Sequence, residues 1–224
     1  MKLKTLSPQS LHNAMASPLS LHGQSMTCRV LTSTDDGYQR AAHFIRRYYR
    51  MAFAARPHIN ATFLVSLEDS EHRLRAVVGL NPAAGRSLFL EQYLDAPLEA
   101  HMADHYGVPV GRDDIVEVAS LAADGSGAGR LLFVALTEGL YHLGRDWIAF
   151  TATAQVRTMF SRLGLRPHAI AEADPARLGD DASRWGRYYQ FRPQVMVGHV
   201  PPGYATLTRN GWLGTGGLGY GVVA

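Results

Sequence analysis

The feature that most constrains the fold is the alternation of strand-like and helix-like segments between residues 114 and 164. DIVEVASLAA and WIAFTAT are short and apolar, as buried strands are. LLFVALTEGLYHLG and AQVRTMFSRLG follow them in turn, and each of these helix-like segments ends at a glycine. This order predicts strands that share one sheet and are covered by helices.

The remaining segments extend this pattern in both directions. Upstream we expect a strand (MTCRVLT), a helix over residues 38–54, a β-hairpin (ATFLVSL and RLRAVVGL), a strand rather than a helix at SLFLEQYL, and a short helix at PLEAHMADHYG. Downstream we expect strands at LRPHAIAEA and VMVGHV around an irregular segment. The prediction is a three-layer α/β domain with a mixed sheet over residues 26–202, after a flexible leader (1–25) and before a glycine-rich tail (203–224).

Composition excludes several classes of protein. The chain has 224 residues, of which 46% are hydrophobic and 18% charged, as in globular proteins. No apolar run approaches the roughly 18 residues of a membrane-spanning helix, so we expect no transmembrane segment. The N-terminal MKLK lacks a following apolar stretch, which favours a cytoplasmic protein over a secreted one. We expect the single cysteine, Cys28, to be a small buried residue without a redox role.

The positive charge is carried almost entirely by arginine. The net charge is +3, and lysine occurs only at Lys2 and Lys4. The densest basic stretch, IRRYYRMAFAARPH, places aromatic residues on one helical face and arginines on the other. We interpret it as an amphipathic helix rather than a nucleic-acid-binding surface, and expect no nucleic-acid partner. The arginine-rich surface of the protein is a candidate for docking an acidic carrier protein.

The junction between DIVEVASLAA and LLFVALTEGL is the strongest candidate for ligand binding. Its sequence is DGSGAGR, so a flexible glycine loop leads directly into a helix N-terminus. Backbone amides in such a loop and the positive end of the helix dipole bind phosphate groups. Gly127, Ala128, Gly129 and Arg130 are therefore candidates to hold a pyrophosphate, and a simple flexible turn is the alternative. Both the Walker lysine and the third glycine of the dinucleotide pattern are missing.

These segments resemble the acyl-CoA-binding core of the GNAT acyltransferase superfamily. Asp124, Gly127 and Gly129 match the superfamily's glycine-loop pattern, with Asp in place of the usual Gln or Arg. FSRLGL is similar to the usual ending of the second helix, where Phe160 occupies a position that often carries a general-acid tyrosine. The resemblance implies a GNAT-like fold with a splayed sheet.

Several separated segments also resemble the thermostable hemolysin family of proteobacteria. They are LFLEQYLDAPLE, IVEVASLAA, WIAFTATAQVRTMFSRLGL, AEADPARLGDDASRWGRYY and RPQVMVG, and the resemblance covers roughly residues 27–200. It implies similarity to autoinducer synthases and N-acyl amino acid synthases. The expected function is an N-acyltransferase that moves a fatty acyl group from acyl-CoA or acyl-carrier protein to a small amine such as an amino acid. No tightly bound cofactor is expected.

Two other functions are compatible with the resemblance. One is a membrane-active hemolysin without enzymatic activity, and the other is a degenerate GNAT fold that only binds a ligand. EVASLAA resembles the E-x-[SG]-R-[LF] strand of the autoinducer synthases, but Leu121 directly follows Ser120 and the arginine is missing.

Acyl transfer to an amine requires a base and a group that polarises the thioester carbonyl. Glu117 and Glu91 are candidate bases because both lie in apolar segments, where burial raises the pKa of a carboxyl group. Their simpler alternative is a solvent-facing position. Backbone amides from Ala119 to Leu121 are candidates to bind the carbonyl and the donor.

Candidate substrate-binding residues come from four other segments. They are Tyr93, Thr151, Arg157, Trp185 and Tyr188. The alternatives are a helix cap for Thr151, a solvated side chain for Arg157, and an aromatic core cluster for Trp185 and Tyr188.

Zinc and serine-hydrolase chemistry are not expected. His101 and His105 are spaced one helical turn apart, as zinc ligands often are, but no third ligand is evident, so we predict no metal. The GxSxG motif of lipases is absent.

Overall fold

The computed structural model describes residues 6–15 and 19–213, which form an eight-stranded mixed sheet with helices on both faces. The strands are β1 (Leu19–Leu21), β2 (Gln24–Leu31), β3 (Phe63–Asp69), β4 (Leu74–Pro82), β5 (Ile115–Ala123), β6 (Trp147–Ala152), β7 (His168–Glu172) and β8 (Gln194–His199). The helices are α1 (Pro8–Ala14), α2 (Asp36–Phe53), α3 (Leu98–Tyr106), α4 (Ala128–His142), α5 (Ala154–Leu163) and α6 (Val200–Arg209). Short 3₁₀ segments occupy Phe89–Tyr93, Arg112–Asp114, Pro175–Trp185 and Tyr188–Phe191.

The strands are arranged in the order β1-β2-β3-β4-β5-β6-β8-β7. β5 and β6 pair in parallel, and the other neighbouring strands pair antiparallel. Helices α1, α4 and α5 pack against one face of the sheet, and α2 and α3 cover the other. The predicted three-layer α/β architecture is therefore confirmed.

The predicted amphipathic helix is α2. Its buried residues recur three or four positions apart and face the sheet. Arg46, Arg47 and Arg50 are exposed on the outer face, as expected. The helix ends at Ala54, which adopts a left-handed backbone conformation with φ of 55°.

Three parts of the chain differ from the expectation. Phe89–Tyr93 is a 3₁₀ helix rather than a strand, because Glu91 accepts hydrogen bonds from the amides of Leu88 and Leu98 and holds the chain in a turn. In the predicted leader, α1 and β1 are ordered elements, and Met15 lies against Gly139 of α4. At the other end, α6 continues to residue 209, and the predicted tail beyond residue 213 lies outside the described residues.

Cys28 is a free and buried thiol, as expected. Burial raises its pKa to about 12, so the thiol stays protonated at neutral pH. Within residues 6–15 and 19–213, no helix combines the length and the hydrophobicity needed to cross a membrane.

The sheet opens between its two parallel strands. Pairing of β5 with β6 ends at Val118 and Phe150, while β6 continues alongside β8 for two more residues. The register of β5 against β4 shifts just beyond this point, and Ser120 adopts a left-handed backbone with φ of 55°. β5 therefore bends away from β6, and the predicted splay of the sheet is confirmed.

Candidate functional site

A cavity of about 730 Å³ fills the gap between β5 and β6. It is lined by residues from β5, β6, the loop before α4, and helices α2, α4 and α5. Nine predicted site residues line it: Glu117, Ala119, Leu121, Gly127, Gly129, Arg130, Tyr93, Thr151 and Tyr188. The structure thus brings together residues that are widely separated in the sequence.

The cavity reaches both faces of the sheet. Val118 packs in the core shared with α4, and Glu117, its neighbour in β5, faces the opposite layer because successive side chains of a strand alternate. The α4 side of the cavity carries the glycine loop and Met159 of α5. The α2 side carries the Glu117 carboxylate and several aromatic rings, so the two sides offer different chemistry.

The glycine loop has the conformation expected of an anion-binding turn. Gly125 and Gly127 adopt φ values of 88° and 96°, which glycine accepts without steric cost. Asp124 accepts hydrogen bonds from Arg75 Nε at 2.5 Å and from the Ser126 amide at 3.0 Å, and these bonds fix the start of the loop.

Helix α4 begins directly at this loop. Gly127 is its N-cap residue, and no side chain caps the first-turn amides. A Cβ on Gly129 would lie 3.2 Å from the Cβ of Ala123, so glycine allows α4 to approach β5 closely. Arg130, in the same turn, also lines the cavity and adds a positive charge. This end of the cavity is therefore suited to bind a phosphate group.

Two carboxylate side chains, Asp124 and Glu117, are among the described residues that line the cavity, and only Glu117 is buried. It lies directly opposite Asn81 in the β4–β5 pair, and Asn81 Nδ2 donates to its Oε2 at 2.9 Å. The Leu90 amide donates to Oε1 at 3.0 Å. Burial raises the pKa of Glu117, and these hydrogen bonds oppose the rise only in part. A buried carboxylate with a raised pKa is suited to accept a proton near neutral pH.

Glu91 lies outside the cavity lining. Its carboxylate pairs with Arg112, with 2.7 Å between Arg112 Nη2 and Glu91 Oε2. Although burial acts to raise its pKa, hydrogen bonds from Arg112 and from the amides of Leu88 and Leu98 lower the value to about 2. Glu91 is therefore held as a charged structural anchor, and Glu117 remains as the candidate base.

Three other predicted residues also lie outside the lining. Arg157 donates to the carbonyl oxygens of Ala152 and Arg192 and ties α5 to the chain before β8. Trp185 packs behind the cavity wall, with its ring 5.1 Å from that of Tyr188. Ala128 is buried in the first turn of α4 and packs in the hydrophobic core.

Several residues of the site escaped prediction. Asn81 lies at the end of an apolar strand and was not predicted as a site residue. An asparagine in such a strand indicates a buried amide that needs a hydrogen-bond partner. Tyr189 was missed as a partner of Tyr93, whose hydroxyl lies 2.6 Å away. The cavity is also lined by Tyr48, Tyr49, Phe53, Phe89 and Arg162.

The two histidines of α3 belong to a different region. The rings of His105 and His168 stack with centroids 3.4 Å apart. Across the described part of the chain, no group of three or more His, Cys, Asp or Glu side chains is arranged to hold a metal ion.

Solved structures with the same fold include several synthases. FeeM, an N-acyl amino acid synthase from uncultured soil microbes, gives a TM-score of 0.56 at 14% identity, covering 84% of this chain and 98% of FeeM. BjaI, a CoA-dependent acyl-homoserine lactone synthase, gives a TM-score of 0.55 at 10% identity, covering 85% of this chain and 91% of BjaI. TofI gives 0.54 at 16% identity, with coverage of 81% and 96%. At these identities the similarity establishes the fold, and the predicted GNAT-like architecture is confirmed.

Comparison of whole sequences identifies the family. The curated proteins include no significant match to this chain. The family model described as Thermostable hemolysin matches residues 31–204, well over half of the sequence. The chain therefore belongs to the thermostable hemolysin family.

Proposed function

We propose that the protein is an N-acyltransferase that moves a fatty acyl group from acyl-CoA or acyl-carrier protein to a small amine. The observation that carries this proposal is one cavity that joins a phosphate-binding loop to a buried carboxylate through a gap in the sheet. Transfer from a phosphate-bearing thioester to an amine needs these two features in one site. The names of the FeeM and BjaI structures support the same class of reaction.

The α4 side of the cavity is suited to the donor. The amides after Gly127 and the Arg130 guanidinium would hold the pyrophosphate of CoA or the phosphate of a carrier's phosphopantetheine arm. Beyond Val118, the edge of β5 that faces β6 has no strand partner. Backbone amides of this edge, around Ala119 and Leu121, would donate to the thioester carbonyl oxygen.

Glu117 would act as the base. It accepts a proton from the attacking amine, whose nitrogen forms a bond to the acyl carbon while the carbon–sulfur bond breaks. The products are an amide and a free thiol, and the thiolate takes up a proton from solvent. Phe160 occupies the position that the resemblance associates with a general acid, but its ring is buried among Phe133 and Phe150 and carries no exchangeable proton.

Both donors carry the same phosphopantetheine group, and the dependence of activity on ionic strength distinguishes them. An acidic carrier protein would be attracted by exposed arginines such as Arg46, Arg47 and Arg50 of α2, so its use should weaken as ionic strength rises, whereas use of acyl-CoA should change less. Both donors are made in the cytoplasm, and we place the activity there.

The experiment measures thiol release from C8 to C16 acyl-CoA and acyl-carrier protein, with and without a pool of amines, followed by mass spectrometry of the product. The proposal expects release that requires both donor and amine. The family name favours one rival, a membrane-active protein, and leakage of liposomes without any acyl donor would support it. Binding of acyl-CoA without turnover would instead indicate a ligand-binding fold.

A further inference from the structure

The charges that line the cavity are distributed unequally between its two ends. Among the described lining residues, the cations are Arg130 and Arg162, and the anions are Glu117 and Asp124. Asp124 lies at the start of the glycine loop and already pairs with Arg75. Arg130 lies in the first turn of α4, beside the glycine loop. Arg162 lies one helical turn beyond Met159, whose sulfur would be 3.9 Å from a Cβ on Gly129. Both positive charges therefore belong to the end that we assign to the donor.

The acceptor end is acidic and aromatic. Glu117 and Ala123 lie opposite Asn81 and Ala76 of β4, five residues apart, so Glu117 is about 17 Å from the end of β5 where the glycine loop begins. Its surroundings in the cavity are mainly rings: Tyr48, Tyr49, Phe53, Phe89, Tyr93 and Tyr188. The faces of aromatic rings attract cations and apolar groups and repel anions.

Arg86 is a candidate to balance an anion here. Its charge acts on Glu117 and lowers the pKa of that carboxyl group, against the larger effect of burial. Its Nη1 donates to Thr62 Oγ1 at 2.6 Å, however, and Arg86 does not line the cavity. A carboxylate on the acceptor would therefore lie near Glu117 without a cation of its own, which is costly in a partly buried site.

We propose that the acceptor is a primary amine without a carboxylate, with an aromatic or branched apolar group at its other end. This inference rests on the proposed acyltransferase function and narrows its acceptor. The ammonium form is attracted to Glu117 and the rings, and Glu117 then removes the proton. The neutral amine nitrogen then bonds to the acyl carbon and the carbon–sulfur bond breaks. The second proton lost by the nitrogen passes to the departing thiolate, so the products are a neutral amide and a thiol.

The test compares amines with their carboxylated counterparts, using dodecanoyl-CoA as the donor. The pairs are 2-phenylethylamine with L-phenylalanine, and 3-methylbutylamine with L-leucine. We expect kcat/KM to favour the amine by at least about 30-fold in each pair, because only the amino acid brings an unpaired charge into the site. L-Phenylalaninamide has nearly the bulk of L-phenylalanine without its negative charge, and it should be used within about tenfold of 2-phenylethylamine.

A gain-of-function variant tests the same charge argument. Phe89 lines the cavity and is partly exposed, so a longer side chain has room at this position. Phe89→Arg should raise the use of L-phenylalanine relative to 2-phenylethylamine by about tenfold. Phe89→Gln removes the ring without adding charge and should leave this ratio unchanged. Circular dichroism establishes that both variants fold.

The outcomes separate this inference from the function on which it rests. If the amino acids are used as well as the amines or better, the inference is overturned and the proposed acyltransferase function stands. If Arg86→Gln then abolishes transfer to the amino acids, Arg86 is the residue that binds their carboxylate. Rejection of L-phenylalaninamide together with L-phenylalanine also overturns it, because bulk rather than charge would then set the preference. Absence of transfer to every amine would instead contradict the proposed function.

Discussion

Asn81 and Glu117 face each other across the β4–β5 pair, and the Asn81 amide donates to the Glu117 carboxylate at 2.9 Å. Both side chains are almost fully buried, and Thr62 donates its amide to Asn81 Oδ1 at 2.8 Å, which orients the asparagine. β4 and β5 therefore hold the candidate base in one orientation at the edge of the cavity.

Asn81 should tune the pH dependence of the reaction. The base must be deprotonated, so activity should fall as the pH falls through the raised pKa of Glu117. Asn81→Leu removes a donor that favours the charged carboxylate, and should move the acidic limb of kcat/KM upward by about one pH unit. Thr137→Val is the control, since it removes a buried hydroxyl that donates to the Phe133 carbonyl and lies outside the cavity lining. An unchanged limb in Asn81→Leu would contradict this role.

Glu91 should contribute to stability rather than to catalysis. Its folded-state pKa is lowered from an ordinary 4.5 to about 2, so its stabilisation is present above 4.5 and is lost as the pH falls toward 2. Glu91→Gln should lower the free energy of unfolding at pH 7 by about 1 to 3 kcal/mol. The variant's free energy of unfolding should also decrease less than that of the parent protein when the pH falls from 5 to about 2. Urea titrations at several pH values measure both effects. A variant as stable as the parent protein at pH 7 would show that the Glu91–Arg112 ion pair contributes nothing to the free energy of unfolding.

Gly127 should be required for binding of the donor. Its φ of 96° is strained for any other residue, and a Cβ would lie 3.3 Å from Arg130 Nη2. Gly127→Ala should raise the KM for acyl-CoA about tenfold, because the loop amides and Arg130 lose their alignment. Gly85→Ala is the matched control, since Gly85 also has a positive φ but has open space around it and lies outside the cavity lining. Equal effects of the two substitutions would point to general destabilisation.

The parts of the fold that were predicted correctly carry strong local patterns. β5, α4, β6 and α5 alternate between short apolar runs and helical periodicity, and a glycine follows each of the two helices, so the local pattern defines them. Phe89–Tyr93 has a similar apolar pattern, but its conformation depends on Glu91 bonds to Leu98 and on Arg112, which lies 21 residues further along the chain. α1 was not predicted because it is stabilised by packing against α4, a contact between residues far apart in the sequence.

The same reasoning applies to the site. Glu91 and Glu117 have equivalent apolar neighbours in the sequence. Their roles differ because their distant partners differ: Glu91 forms an ion pair with Arg112, and Glu117 accepts a hydrogen bond from the Asn81 amide. The glycine loop was found because phosphate-binding loops are local. The aromatic acceptor wall was not found, since α2, the segment around Tyr93 and the segment around Tyr188 meet only in the folded chain.

The most direct test of the central claim is single-turnover thiol release from dodecanoyl-CoA with saturating amine, comparing Glu117→Gln with the parent protein. We predict a fall of about 100-fold or more in the rate, with unchanged affinity for the donor, because the amine then lacks its base. Glu91→Gln, assayed well below its melting temperature, should retain nearly full activity. A Glu117→Gln variant that releases thiol within about threefold of the parent rate would contradict the assignment of Glu117 as the base.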